Sequence, residues 1–537
     1  MLSPLAGRSV ATPIEVSGLY RQSRLLWEIA ALVCLLALCL ALRVTNLEAL
    51  PIFTDEGWYI RPAQIFGASP SFDTWLVSLP YTAPPLFSWL AAPLTRLVSD
   101  PLLAGRLASA LSGTVALLGV WGTARVLWGP ITGLLAAALW ALSPFALFYN
   151  RIALLDGLVA TCGAGALFFA IRFSRHIRMR DAVAMGLCIA AGMLTKIFAA
   201  SMLLLPLLAV LAAYPAQRRA ARRGAVVGVV LGVLPFPCLA LANGSGGVAS
   251  FATHSLLYTG LHHGGVPRML SIIAGQIGRW SVAMALYITL PVLLLAVLGL
   301  WSIRRERIVL LLGIWALVGS LPAILPPLRF LAPRYFVYIV VPIVILAARG
   351  LVVFAEAVRA RLPPLTPLWL VIPCVAALVL IPSVAADATM MTVPARTPLI
   401  AFDRQQYVTG PVAGYPLVPV MAYLRQQEAR SRVTLVSPNA TPPLYMLILL
   451  LYDDPSITLT PVPLGTTPEH GLRAALDRIA RGSRGNRVFL LDFNHIVVPK
   501  QDVSAHGEVM LPNRVILRLV AHSQSHDPVA SYDVYAI

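Results

Sequence analysis

Two adjacent carboxylates, Asp55 and Glu56 in TDEGWY (residues 54–59), stand directly after the first long apolar run of the chain. Like charges side by side at the end of a hydrophobic segment are costly unless a cation, a substrate hydroxyl or water offsets them. They suit proton abstraction or cation binding or, more plainly, an exposed acidic loop in which Asp55 caps a short helix. Asp156, in YNRIALLDG, is a second acidic candidate at the start of another apolar run. Arg151 precedes it at a helical spacing that does not assure a same-face pair. Among the cations, Lys196 in MLTKIF interrupts a hydrophobic run, where a charge is expensive unless it reaches a surface or a polar cavity. Arg334, with Tyr335 beside it in APRYF, and Arg61, Arg106, Arg151 and Arg279 could grip an anionic group such as phosphate, or snorkel to lipid headgroups. His254, His262 and His263 in THSLLYTGLHHGG could hold a divalent metal ion with a carboxylate, contact an acceptor or move a proton, but their spacing matches no zinc signature.

Some chemistries are absent. GPITG and NGSGG lack the Lys-Ser/Thr ending and strand-to-helix setting of a nucleotide site, so no nucleotide cofactor is expected and an ATP-driven pump fits poorly. No G-x-S-x-G nucleophile elbow occurs.

These residues need a scaffold, and composition says what it is. Of the 537 residues 58% are hydrophobic and only 12% charged, against roughly a quarter charged in a soluble domain. Apolar runs able to cross about 30 Å of hydrocarbon lie near 25–43, 103–124, 131–149, 152–172, 182–214, 224–242, 282–301, 308–325, 335–354 and 367–386. The 182–214 run is too long for one span and carries Lys196, so two spans turning at Lys196 are expected, for about eleven crossings in all.

The net charge of +18 invites a nucleic-acid reading, but its placement argues otherwise. Residues 1–386 carry 28 basic and 11 acidic groups, and 387–537 carry 13 and 12. With a cytoplasmic N-terminus, 18 of those 28 basic groups fall on inward segments, including every compact Arg cluster. The basic charge then records membrane orientation and no nucleic-acid partner is implied. The first apolar run is an anchor in this reading, with no convincing signal-cleavage site.

The expected architecture is an α-helical polytopic membrane protein with a transmembrane domain over 1–386. Outward loops lie at 44–102, 243–281 and 326–334, the first holding short interfacial helices. Residues 387–537 form a small extracytoplasmic α/β domain. Its strands are expected at VTLVS, ITLTPV, RVFLLDF, VILRLV and YDVYA, with a helix at EHGLRAALDRIA. MLILLLY (446–452) is too short to span and reads as a buried strand or helix. The cysteines, all within apolar runs and none in Cys-x-x-Cys, read as buried small hydrophobes.

In register along the chain, NLEALPIFTDEGWYIRPAQ, PYTAPPLFSWLAAPL, NRIALLDG, GLCIAAGMLTKIFA and LAPRYFVYIVVPIVILAARG resemble the type-C, polyprenyl-phosphate-sugar-dependent glycosyltransferases. The nearest subgroup is that of the prokaryotic relatives of protein O-mannosyltransferase and lipid A aminoarabinose transferase. The resemblance implies a hexosyl- or pentosyltransferase in the cell membrane that moves sugar from a lipid-phosphate donor to an envelope acceptor, whether protein, lipid or glycan. It implies Asp55 as general base, with Glu56 orienting the acceptor or assisting a divalent metal, and Asp156 as the second acidic position. Lys196, Arg334, Tyr335 and Arg61 fall to the donor phosphate. One departure is that Tyr81, Thr82 and Ala83 precede Pro84 and Pro85, where the family often places a basic residue or histidine. A secondary transporter or flippase for a lipid-linked precursor is the alternative, but it calls for polar groups near the midplane and a repeated half, neither of which the sequence displays.

Overall fold

The computed structural model describes residues 13–78, 84–242, 265–324, 332–439, 441–451 and 454–462, with shorter stretches between 479 and 537. Its first helix, Pro13–Val44, carries the apolar run that begins at Leu25. Asn46, at φ 54°, turns the chain out of it, and the following elements are short: helices Thr54–Ala68, Phe72–Trp75 and Leu86–Leu97. The last of these buries Phe87, Ala91 and Ala92 while Leu90 and Leu97 stay exposed. An apolar stripe left outside in this way suits a helix lying in a bilayer interface. Trp89 Nε1 donates to the Trp75 carbonyl at 2.8 Å, joining two of these helices.

Local sequence explains where the long helices start and stop. Asp100 Oδ1 accepts the Leu102 and Leu103 N–H groups at 2.7 and 3.3 Å, and Pro101 occupies a first-turn position that has no use for an N–H. The helix runs Pro101–Trp128 and ends at Gly129, whose φ of 91° suits glycine, after which Pro130 opens the next helix. Helices Pro130–Ala141 and Pro144–Asn150 meet at a 55° bend. Leu155–His176 and Met179–Met193 follow. Lys196 then sits in extended backbone before a 3-10 turn, Ile197–Leu203, and a helix, Leu204–Ala212, so the long run does break at its lysine.

Seven helices among the described residues are long and apolar enough to cross a membrane, or eight if the bent pair is one span. Sequence reading expects about eleven, and the difference falls where apolar runs divide: shorter helices cover Ile197–Ala212 and Leu310–Leu321. The protein is a multi-pass membrane protein. Three cysteines do not follow expectation: Cys34, Cys238 and Cys374 are exposed on helix surfaces, where the bilayer and not a protein core takes up an apolar side chain. Small residues let the helices approach closely. A Cβ on Gly299 would lie 1.9 Å from the Leu346 carbonyl oxygen, and one on Gly350 the same distance from that of Leu295.

The polar tail contains one six-stranded sheet, order β2-β1-β3-β6-β5-β4. Its strands are β1 Val433–Pro438, β2 Ile457–Val462, β3 Arg487–Phe493, β4 Glu508–Met510, β5 Ile516–Gln524 and β6 Ser531–Ala536. β1 is parallel to β2 and β3, whereas β6 runs antiparallel to β3 and β5. All five expected strand segments are present; MLILLLY lies largely in a buried helix, Pro442–Leu450, and EHGLRAALDRIA, apart from Ile479, lies outside the described residues. Strand alternation divides the sheet between two cores. Leu435, Phe489, Leu491 and Val534 join the core of the membrane helices, while Val436, Val488, Leu490 and Tyr535 pack in a separate cluster.

Replacing Gly350 with Leu forces apart two helices whose backbones touch, with an expected cost above about 2 kcal/mol. The detergent-solubilised variant should melt several degrees lower than the parent; equal melting temperatures would rule out this crossing.

Candidate active site

Helix Thr54–Ala68 presents Asp55 and Glu56 in its first turn. Consecutive helical residues point about 100° apart, and the two carboxylates part company accordingly. Glu56 turns inward and is fully buried. Its Oε1 accepts Arg106 Nε at 2.8 Å and the Ala153 N–H at 2.9 Å, and its Oε2 accepts Arg106 Nη2 at 2.7 Å and the Phe53 N–H at 2.9 Å. Arg106 also donates to the Leu47, Leu50 and Pro51 carbonyls at 2.5, 2.7 and 3.2 Å. This two-pronged pair pins the loop after the first helix to the long helix Pro101–Trp128 and uses up both Glu56 oxygens. Arg151 has a similar architectural task, donating to the Leu42, Thr45 and Asn46 carbonyls at the C-terminal end of the first helix.

Asp55 points the other way. Its Oδ2 accepts Arg334 Nη2 at 2.7 Å, and its side chain is 31% exposed against 7% for Arg334. Asp156 Oδ1 accepts Lys196 Nζ at 2.7 Å, and Asp156 Oδ2 is buried without a hydrogen-bond partner. The ring of Tyr335 joins these ion pairs. Lys196 Nζ lies 4.1 Å from its centroid and the Arg334 guanidinium 5.3 Å, while its face stacks on Phe198 at 4.8 Å. The aromatic faces favour the cations and keep water from them. Arg334 follows Pro333 in a 3-10 turn, Pro333–Ile339, and also lies over the Phe53 ring at 5.2 Å.

Sequence reasoning passed over three residues here. Tyr59, one helical turn after Asp55, is half-buried beside the charges of Asp55, Arg334 and Asp156; desolvation first, and then the Asp55 charge, hold its hydroxyl well above the ordinary tyrosine range. The i, i+4 spacing from Asp55 is the signal that finds it. Tyr407, whose hydroxyl accepts Arg334 Nη1 at 3.4 Å, and the fully buried Asp403 come from the segment between the last long helix and the sheet. Nothing in that polar stretch singles them out. The same segment grips the acidic loop: the Thr54 N–H and hydroxyl both donate to the Val412 carbonyl, at 3.1 and 3.0 Å, and Phe53 bridges Ala413. Gly57 lies so close to the Tyr445 carbonyl oxygen that a Cβ would come within 2.1 Å of it.

Other candidates fall elsewhere. Arg61 lies about 120° round the helix from Asp55, and Arg279 is exposed. His254, His262 and His263 lie outside the described residues, as do Tyr81 to Ala83. Among the described residues no group of three or more His, Cys, Asp or Glu is placed to hold a metal ion, and Glu56, saturated by Arg106 and backbone N–H groups, does not fit that task.

Comparison with known proteins follows this geometry. Residues 82–240 match the family described as dolichyl-phosphate-mannose-protein mannosyltransferase. Sequence comparison with curated proteins finds no match. The chain shares its fold with ArnT from Cupriavidus metallidurans: against the apo crystal structure the TM-score is 0.55 at 17% identity, covering 96% of this chain and 98% of that one. Against ArnT bound to undecaprenyl phosphate the values are 0.55 and 18%, covering 94% and 97%. The resemblance to type-C glycosyltransferases drawn from the short motifs is thus met by a family match inside the membrane region and by a shared fold along nearly the whole chain.

Removing Arg106 leaves the Glu56 carboxylate buried and unpaired, which costs about 3–5 kcal/mol. Arg106→Ala should therefore cut the yield of folded protein and its melting temperature far more than Arg334→Ala, whose partner Asp55 has access to water. Similar stabilities for the two variants would show that Glu56 is not the structural anchor.

Proposed function

We propose that this protein is an integral-membrane glycosyltransferase that moves a sugar from a polyprenyl-phosphate donor to a hydroxyl of an envelope acceptor. The observation that carries this reading is the pairing of Asp55 with Arg334 and Asp156 with Lys196 around one tyrosine ring. Carboxylate and cation are both needed for this reaction, and here each kind is held ready by the other.

The chemistry follows from the charges. The donor's phosphodiester is a monoanion that competes with the carboxylates for Lys196 and Arg334. Charge-assisted hydrogen bonds from both cations replace the ones they lose, so the exchange conserves the number of strong contacts. Released from Arg334, Asp55 becomes free to accept the proton of an acceptor hydroxyl as its oxygen attacks the anomeric carbon. The new C–O bond forms as the bond from that carbon to the phosphate oxygen breaks, and the polyprenyl phosphate leaves with its added charge against the same two cations. A single displacement of this kind inverts the anomeric centre and needs no nucleotide. Tyr335 aligns the cations, and Glu56 holds the loop at the angle that turns Asp55 towards Arg334.

The topology belongs to this proposal. A cytoplasmic N-terminus puts the acidic loop, the interfacial helices and residues 387–537 on the outer side, as the arginine distribution supports. The segment leading to its sheet holds the proposed catalytic loop through Val412 and Ala413.

In reconstituted vesicles supplied with polyprenyl-phosphate sugars, Asp55→Asn should lower kcat by about 10²- to 10⁴-fold with donor binding retained. Lys196→Ala should instead weaken donor affinity by roughly 10- to 100-fold. Full transfer by both variants, normally inserted, would sink the assignment.

A further inference from the structure

A second concentration of charge lies across the membrane from Asp55. Helix Leu155–His176 runs unbroken from Asp156 to Phe173, roughly 25 Å along its axis. Gly224 packs against its far end: a Cβ there would lie 2.4 Å from the Phe173 ring. Gly224 belongs to helix Arg218–Val233, whose opening RRAARR carries Arg218, Arg219, Arg222 and Arg223 and no acid. Another loop meets this one. Arg307 Nη1 donates to the Ala213 carbonyl at 3.0 Å, and its guanidinium lies 6.0 Å from the Tyr214 ring. Arg304 and Arg305 come with it, and Glu306 is the single acid of RRER.

Seven arginines and one glutamate leave a net +6 on these two loops. None of the seven forms an ion pair among the described residues, whereas Arg125 and Arg172, towards the same membrane face, are held by Glu28 and Asp181. Arg218 and Arg304 each donate to a backbone carbonyl, of Leu211 and Trp301, at 3.1 and 2.8 Å. Those bonds fix the side chains without neutralising them. Arg218 and Arg219 also stand in the first turn of their helix, against its positive end. Orientation in the membrane calls for basic charge on one face but not for this crowding, which an anion within reach of both loops relieves. Grouped guanidinium groups are suited to phosphodiester oxygens.

The surroundings indicate what carries the phosphate. Val226 and Val230 follow Arg222 at intervals of one turn, and all three are exposed. Trp301, Val297 and Leu294 form a like exposed stripe on helix Leu290–Ser302. The Arg304 guanidinium lies 3.8 Å from the Trp301 ring, and Tyr214 is exposed beside Arg307. Such aromatic residues sit at headgroup depth. A lipid with its phosphate on the arginines lays its acyl chains along the apolar stripes, an opportunity that neither a nucleic acid nor a soluble acidic protein can use. We propose that loops 213–223 and 301–307 form one binding site for an anionic phospholipid carrying two phosphates, with both loops contributing cations. This site is separate from the glycosyl-transfer reading and does not depend on it.

The test uses the full chain in detergent micelles, with native mass spectrometry counting bound lipid. The probes are tetramyristoyl cardiolipin, dimyristoyl phosphatidylglycerol and dimyristoyl phosphatidylcholine. The parent should bind cardiolipin about tenfold or more tightly than phosphatidylcholine, with phosphatidylglycerol between them. Arg219→Gln/Arg222→Gln/Arg223→Gln and Arg304→Gln/Arg305→Gln should each weaken cardiolipin binding by about tenfold or more. Without lipid, both should melt within about 2 °C of the parent, since the exposed side chains they alter tie no distant segments together. Arg359→Gln/Arg361→Gln, exposed at the end of helix Val340–Arg359, should bind as the parent does. An equal loss in that variant makes the effect one of general charge and overturns the proposal. So does a loss confined to one loop, or phosphatidylglycerol or phosphatidylcholine binding as tightly as cardiolipin. Binding of poly(U) RNA as tight as that of cardiolipin would assign the patch to nucleic acid and overturn the lipid site.

Discussion

A charge buried away from water must be paired, and the membrane half of this protein is arranged around that constraint. Glu56 and Arg106 satisfy it completely: each is fully buried, and together they join the loop after the first helix to a helix fifty residues further along the chain. Their pair is short, two-pronged and extended by backbone donors and acceptors, the conditions under which a buried ion pair holds. The position of Asp55 follows from it, because a helix with Glu56 fixed inward must turn the preceding residue about 100° away, towards Arg334.

The other two ion pairs satisfy the constraint less completely, and that is what makes them useful. Asp156 has one oxygen without a partner, and Asp55 is partly open to water. At each, the cation can take another anion in place of its carboxylate, and Asp55, once released, is met by water. In the proposed reaction the saturated pair holds the site and the unsaturated ones do the chemistry. Lys196 and Arg334 both lie against the Tyr335 ring, and in the proposed reaction one phosphate bridges them.

Much of this was legible in the sequence, for a physical reason. Asp55, Asp156, Lys196 and Arg334 are charges inside or beside apolar runs, and any such charge needs an explanation. The helix break at Lys196 and the strands of the tail follow from the same accounting of burial and from period-two alternation. The pairings were not legible. Asp55 and Arg334 are 279 residues apart and Asp156 and Lys196 are 40 apart, and no local period connects them. Glu56 looks equivalent to Asp55 in sequence, and only the helix phase separates their roles. Asp403 and Tyr407 escaped because they sit in a polar stretch, where one more acid or tyrosine carries no signal until the fold buries it. Each expected apolar run carries helix, and among the described residues seven or eight of these helices are long enough alone to count as spans.

The account turns on an exchange of partners at Arg334 and Lys196. A structure of the full chain in nanodiscs with a bound lipid phosphodiester tests this directly. The exchange predicts phosphate oxygens within about 3 Å of both cations, with Asp55 and Asp156 moved beyond the roughly 4 Å limit of an ion pair. Both ion pairs intact, with the phosphate bound elsewhere, would contradict it.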